Sequence, residues 1–178
     1  MNEPAALHIR HAVAADASVL TPLMAEWFLA AYGHASDSVN TGIFVAANFE
    51  SGKQAAEIAN PDIVTLIAES DGEIAGYAQV RFATPAPDCV TEDAACELGR
   101  FYFAPAHHGR GSAALLMEAV RAEARARGRR WLWLMAWQEA PQAIRFYEKQ
   151  GFAKAGTAVF MVGEDRKADW VMRAAVER

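Results

Sequence analysis

Two glycines, Gly109 and Gly111, stand between an extended apolar stretch and a helical one, a placement that can do chemistry. The segment Phe103-Ala104-Pro105-Ala106-His107-His108-Gly109-Arg110-Gly111-Ser112-Ala113-Ala114-Leu115-Leu116 reads as strand, turn, then helix. The first-turn amides of such a helix have no partners within it and point outward along the positive end of its dipole. A pyrophosphate placed there collects several charge-assisted bonds, and glycine lets the backbone approach it with no Cβ in the way. A nucleoside-triphosphate loop fits poorly, since no Gly-Lys-Ser/Thr follows the glycines. A Rossmann turn also fits poorly, because it belongs near the chain start and needs a different glycine spacing. A plain tight turn without a ligand stays open on these residues alone.

Two other side chains have the types needed for proton transfer. Tyr147 lies in Ala143-Ile144-Arg145-Phe146-Tyr147-Glu148-Lys149-Gln150-Gly151-Phe152, where Phe146 and Phe152 also fit core positions at helical spacing. Glu97 opens the strand-like run Glu97-Leu98-Gly99-Arg100-Phe101-Tyr102-Phe103 and competes with a reading as a solvated carboxylate at a strand end. Cys89 and Cys96 lie in no Cys-His arrangement and lack zinc spacing, so they read as ordinary thiols, with no metal site expected. His8, His11 and His34 read as surface or structural residues, and His107 as a solvated turn residue beside the glycines.

The elements that must position these groups follow from hydrophobic period. The run 7–13 alternates as a strand. Val19, Leu20, Leu23, Met24, Trp27 and Phe28 recur at helical spacing behind a candidate cap, Asp16. Helical stretches are expected over 38–49 and near 53–59. Two strands, 63–68 and 73–80, flank Asp71-Gly72, a hairpin signal because a type I′ turn needs positive φ at both residues. A surface loop over 84–93 precedes a strand over 96–103. A helix over 112–127 presents Leu115, Leu116, Ala119, Val120 and Ala124, with Gly128 at its C-terminal end. Trp131 to Trp137 reads as a strand buried on both faces. A helix over 141–149 begins at Pro141 and stops at Gly151. Strands over 153–161 and 168–175 close the chain around the turn 163–166.

The 178 residues suit one domain, and 53% apolar with 22% charged residues is an ordinary globular balance. No stretch reaches membrane-helix length, and the start lacks a basic head followed by an apolar segment. A cytoplasmic location is the resulting expectation. The formal charge of −5 argues against a broad nucleic-acid surface.

The glycine turn resembles the pyrophosphate loop of the GNAT acetyltransferase family, usually Gln or Arg, two residues, Gly, one residue, Gly or Ala. Here that loop reads His108-Gly109-Arg110-Gly111-Ser112-Ala113, with His108 departing from the usual first residue. The stretch 97–103 looks like the family's fourth strand, whose backbone pairs with the pantetheine arm, and 143–152 is nearly a consensus of its later motif. The resemblance covers the whole chain and implies one domain over 5–176. The implied fold is α/β (α+β): a mixed, mostly antiparallel sheet of about seven strands, flanked by about four helices. A phosphate-binding turn would join strand 4 to helix 3. It implies acetyl-coenzyme A as cosubstrate, held by Phe101, Tyr102, Phe103, His108, Gly109, Arg110, Gly111, Ser112, Ala113, Trp137, Ala140 and Tyr147. Many members have an Asn where this chain has Ala140; one hydrogen bond of about 1 kcal/mol is then missing, and Gln138 is a candidate replacement.

In the family the tyrosine at position 147 protonates the leaving coenzyme A, and a glutamate at position 97 often serves as base, with Glu92, Asp93 and Glu139 as fallbacks. A base is needed because an alkylamine of pKa about 10.4 is protonated at neutral pH, and removing that proton costs roughly 4 to 5 kcal/mol. Direct attack in a ternary complex is expected, with a main-chain N–H of 101–103 stabilising the oxyanion. The tail 159–172 and the segment 47–50 are similar to spermine/spermidine N-acetyltransferase-like members, so a polyamine is the leading acceptor. Glu26, Asp37, Asp88, Glu92 and Asp93 are its candidate contacts. Protein N-termini, amino acids, antibiotics and a non-catalytic coenzyme-A sensor are the alternatives, and a homodimer is compatible with the resemblance.

Overall fold

The computed structural model describes residues 7–109 and 111–177. Arg110 and the first two positions of the expected 5–176 domain lie outside them. Seven strands form one sheet: β1 His8–His11, β2 Ile63–Ser70, β3 Glu73–Arg81, β4 Ala95–Phe103, β5 Trp131–Trp137, β6 Ala153–Val162 and β7 Asp165–Ala175. Their order is β1-β2-β3-β4-β5-β7-β6. Every neighbouring pair is antiparallel except β4 with β5. That one parallel pair needs a crossover, which the helix α4, Ser112–Ala126, supplies. Asp71 and Gly72 have φ of 55° and 82°, the double positive φ of the expected hairpin turn.

Five α-helices flank the sheet where the sequence suggested about four. The two helical stretches expected over 38–49 and near 53–59 are α2, Ser38–Asn48, and α3, Ser51–Ala59, each with its own cap. Asp37 accepts from the Val39 and Asn40 N–H groups, and Glu50 from those of Gly52 and Lys53. The glycine turn therefore leads into the fourth helix of the chain, not the third. Asp16 stands before α1, Ala17–Tyr32, yet its carboxylate takes hydrogen bonds from Val13 N–H and Arg10 instead of capping the helix.

Sheet and helices enclose two cores, one on each face. Against α4 and α5, Pro141–Lys149, the sheet buries Leu98, Phe103, Leu132, Leu134 and Met172 with Leu116, Met117 and Val120. Against α1 it buries Ile67 and Tyr77 with Leu20, Met24, Trp27 and Phe28. Leu115 and Val19, expected on apolar faces, are more than half exposed, and Met117 takes the core position beside Leu116. β5 alternates between these two faces, its even residues toward α4 and its odd tryptophans toward α1 or the loop 82–94. β7 begins three residues earlier than expected, so Gly163 and Glu164 alone make the last turn, with Gly163 at φ 60°. Among the described residues no helix is long and apolar enough to cross a membrane.

Candidate active site

β4 and β5 pair only over Ala95 to Glu97 and Trp131 to Trp133, and then part. Beyond that point β4 has a partner on its β3 side alone, so its main-chain groups from 98 to 103 face a gap toward β5. Gly99 marks the departure. In the β3–β4 register Gln79 faces Arg100 and Val80 faces Leu98, leaving Gly99 as an extra residue. A Cβ on Gly99 would meet the Arg81 side chain at 3.1 Å, so Gly99 and Arg100 face the same side, as in a classic β-bulge.

The gap opens into a cleft of about 580 Å³. One wall carries Phe101, Tyr102 and Phe103 of β4 with Pro105, His108, Gly109 and Ala113 of the glycine turn. The opposite wall carries Trp137 and Ala140 to Ala143 with Phe146 and Tyr147, and the far end is formed by Trp27, Ala30, Ala31, Tyr32 and His34. Gly109 and Gly111 have φ of 75° and 81°, and no atom lies within 4 Å of where either Cβ would stand. Positive φ, not crowding, is what selects glycine there. No side chain caps α4, so the donors of its first turn stay available to a ligand. His108 donates its ring Nε2–H to the Phe103 carbonyl at 2.9 Å, which ties the turn back to the end of β4. A carbonyl can only accept, and this fixes the tautomer.

Nine of the expected cofactor positions therefore line one cavity: Phe101, Tyr102, Phe103, His108, Gly109, Ala113, Trp137, Ala140 and Tyr147. Gly111 and Ser112 belong to the same turn, as cap and first helical residue. Gln138 lines a separate shallow depression with Thr157 and Arg166, so it does not replace the missing Asn side chain. Gln142 does reach the cleft from the first turn of α5, where its apolar neighbours gave no signal of it.

Tyr147 is half-buried, with its ring edge-on to Phe101, Phe146 and Phe152 at 6.4, 5.4 and 5.7 Å. Burial raises its phenol far above the ordinary tyrosine value, with a smaller contribution from Tyr32. The hydroxyl thus stays protonated and can act only as a donor of its proton near neutral pH. Glu97 is placed differently. It sits before the bulge, with its side chain 14% exposed and Oε2 at 3.9 Å from Arg81. Arg81 also donates to Gln79, which bonds Glu57, and Glu57 accepts from Arg100 at 2.6 Å. This network lies beside the cleft and outside its lining.

The remaining carboxylates scatter. Asp37 and Glu50 cap helices, Glu92 pairs with Arg173 at 2.8 Å, and Glu26, Asp88 and Asp93 are exposed; of the expected acidic contacts and bases only Glu139 lines the cleft. Neither thiol lines it. Cys96 is a β4 residue buried in the core against α4, which pushes its thiol up to about 12. His34, read from sequence as a surface residue, packs its ring 5.6 Å from that of Trp137 at the cleft's end.

An open strand edge, a glycine turn at a helix N-terminus and a half-buried phenol thus share one cavity. Residues 23–152 match the profile of the acetyltransferase (GNAT) family. An uncharacterized N-acetyltransferase of Mycobacterium tuberculosis is 35% identical over 157 residues, spanning 88% of this chain and 96% of that one. The chain belongs to the GNAT acetyltransferase family. PaiA N-acetyltransferase from Thermoplasma acidophilum, solved in complex with coenzyme A, has the same fold. Its TM-score is 0.79 at 19% identity, over 96% of this chain and 99% of that one. Streptothricin acetyltransferase of Streptomyces lavendulae is 33% identical over 106 residues, 59% of this chain and 52% of its own.

As a family member the protein is an acetyl-coenzyme A–dependent N-acetyltransferase. The cleft of the acetyltransferase fits that donor. Its β4 edge is free to pair with an extended amide-bearing arm, and the glycine turn leaves space and free amides for a diphosphate. When bound, the donor supplies an acetyl thioester.

Proposed function

We propose that the acetyltransferase acylates the primary amine of a small organic molecule held at the aromatic end of the cleft. The observation that carries this reading is the shared cavity: Trp27, Tyr32, His34 and Trp137 enclose one end of the same space that Tyr147 and the glycine turn line. An aromatic enclosure suits a compact cation or ring, which gains from the faces of Trp and Tyr as well as from burial.

In this reading the β4 main chain at Phe101 to Phe103 aligns the donor arm, and the amides of Gly109, Gly111, Ser112 and Ala113 hold its diphosphate. Tyr147 carries the proton that the departing sulfur takes, and burial keeps that proton in place until it is needed. Glu97 receives the proton of the acceptor's ammonium by way of water, since its carboxylate stands beside the cleft on the acceptor side of β4. No acyl-enzyme is required, because both thiols lie away from the cleft.

A polyamine acceptor rests on the likeness of the tail 159–172 to spermine/spermidine-acetylating members. A long polycation calls for carboxylates spaced along its path, and Glu26, Asp37, Asp88, Glu92 and Asp93 do not line the cleft. A smaller amine fits this lining better, and a relative named for streptothricin supports an antibiotic amine as one such acceptor. The test is release of free coenzyme A thiol with a panel of spermidine, spermine, streptothricin, butylamine, lysine esters and short peptides. A compact amine is expected to exceed spermidine at least tenfold in kcat/KM. A preference for spermidine restores the polyamine reading, and coenzyme A binding without thiol release for any amine makes the chain a sensor.

A further inference from the structure

Among the buried polar atoms without a hydrogen-bond partner among the described residues, Tyr77 Oη, Glu97 Oε2, Trp133 Nε1 and Asp169 Oδ1 lie on the α1 side of the sheet. Unpartnered buried polar atoms are few in native proteins, and several on one face beside a cleft point to a polar ligand. Asp169 is the most demanding of them. It is 5% exposed, and its carboxylate has neither a hydrogen bond nor an ion pair among the described residues. A buried carboxylate with no cation beside it is expensive, and proteins ordinarily pair such a group or leave it outside.

Its place in the fold is next to the aromatic end of the cleft, just behind Tyr32 and Trp137, which line it. Asp169 pairs in register with Trp137 across β5 and β7, so the two side chains leave the sheet on the same face. Tyr32 also lines the cleft; burial raises its phenol, and it lies close enough to Asp169 for that charge to add to the shift. Tyr32 and Trp137 are themselves in contact, with ring centroids 6.1 Å apart. Nearby cations are already engaged. Lys167, two residues earlier on β7, bonds Asp165 at 2.7 Å and the Ala35 carbonyl, and Arg173 pairs with Glu92. The other neighbours with titratable groups are Tyr32 on α1 and His34 just after it, while β6 offers Ala158 in register.

We propose that the Asp169 carboxylate binds the ammonium group of the acceptor, beside the rings of Tyr32 and Trp137, and so selects cationic amines. This rests on the reading of the cleft as an amine site and names the group that recognises the charge. A desolvated carboxylate gains more from one incoming ammonium than a surface carboxylate does, because the pair interacts in a low dielectric. The raised protonation of Asp169, to about 7 by burial alone, is what a carboxylate without its cation should show. An ammonium docking there drives its proton off.

The test compares wild type with Asp169→Asn, a substitution of equal size that removes the charge. With butylamine, protonated at neutral pH, KM should rise at least tenfold while kcat and the dissociation constant of coenzyme A change less than threefold. With methoxyamine, uncharged at neutral pH, KM should not move; a merely structural role would alter both acceptors alike. Direct binding is read from the carboxyl carbon signal of Asp169, whose titration midpoint should fall by at least one pH unit in saturating butylamine. An unchanged midpoint, or equal KM for butylamine in the two proteins, overturns the assignment. Absence of thiol release from every amine by wild type overturns the acetylation reading instead, and the carbon titration still decides Asp169.

Discussion

Replacing Tyr147 with phenylalanine removes one oxygen and leaves the ring, so three readouts separate its chemistry from its packing. The ring is held by Phe101, Phe146 and Phe152 through edge contacts that phenylalanine keeps. The hydroxyl makes no hydrogen bond among the described residues, so its loss should change stability by no more than about 0.5 kcal/mol, near or below 2 °C in melting temperature. Coenzyme A affinity should stay within threefold, since the glycine turn and β4 edge are untouched. Turnover should fall between ten- and a hundredfold, about 1.4 to 2.7 kcal/mol, at or just below the lower edge of the usual range for general acid catalysis. Because burial holds the Tyr147 proton well above the ordinary tyrosine range, wild-type turnover should show no alkaline limb from this group below about pH 10. Thiol release, calorimetry with coenzyme A and a thermal melt, run on the same samples, give all three values. Turnover within twofold of wild type, with folding and binding intact, would remove Tyr147 from the reaction.

Other consequences are independent of that phenol. Arg121 is 1% exposed and donates to the carbonyls of Gln150, Ala175 and Val176, joining α4 to the ends of α5 and β7. Arg121→Met should lower stability by about 3 to 5 kcal/mol, roughly 10 °C in melting temperature, with coenzyme A affinity of the folded protein retained. Gly111→Ala meets no atom, so its cost is the left-handed backbone alone, about 1 kcal/mol, and calorimetry should show coenzyme A binding weakened roughly tenfold as the turn relaxes. Asp169 holds its proton up to about pH 7 when folded but only to about 3.8 when unfolded, so the native state binds more protons over that window and stability falls as pH rises through it. Asp169→Asn should abolish that decline, worth roughly 4 kcal/mol across the whole window and about 2.6 kcal/mol between pH 5 and pH 8, as measured by denaturant titrations at those two values.

The order of strands and helices was legible because each depends on neighbours in sequence. Alternation, the Asp71-Gly72 turn and Pro141 at a helix start report local backbone preferences, and the glycines at 109 and 111 report a positive φ that few other residues accept. Tyr147 was legible as part of a motif on one helix. What the sequence could not contain was the parting of β4 from β5, since it follows from how distant strands pair and where Gly99 inserts its bulge. That geometry sets Tyr147 inside the cleft and leaves Glu97 beside it, among Arg81, Gln79 and Glu57. The same holds for Asp169, one acid among 22 Asp and Glu residues in the chain. Only the tertiary structure makes it singular, because burial and the absence of a partner among the described residues are properties of the space around a side chain and not of its neighbours along the chain.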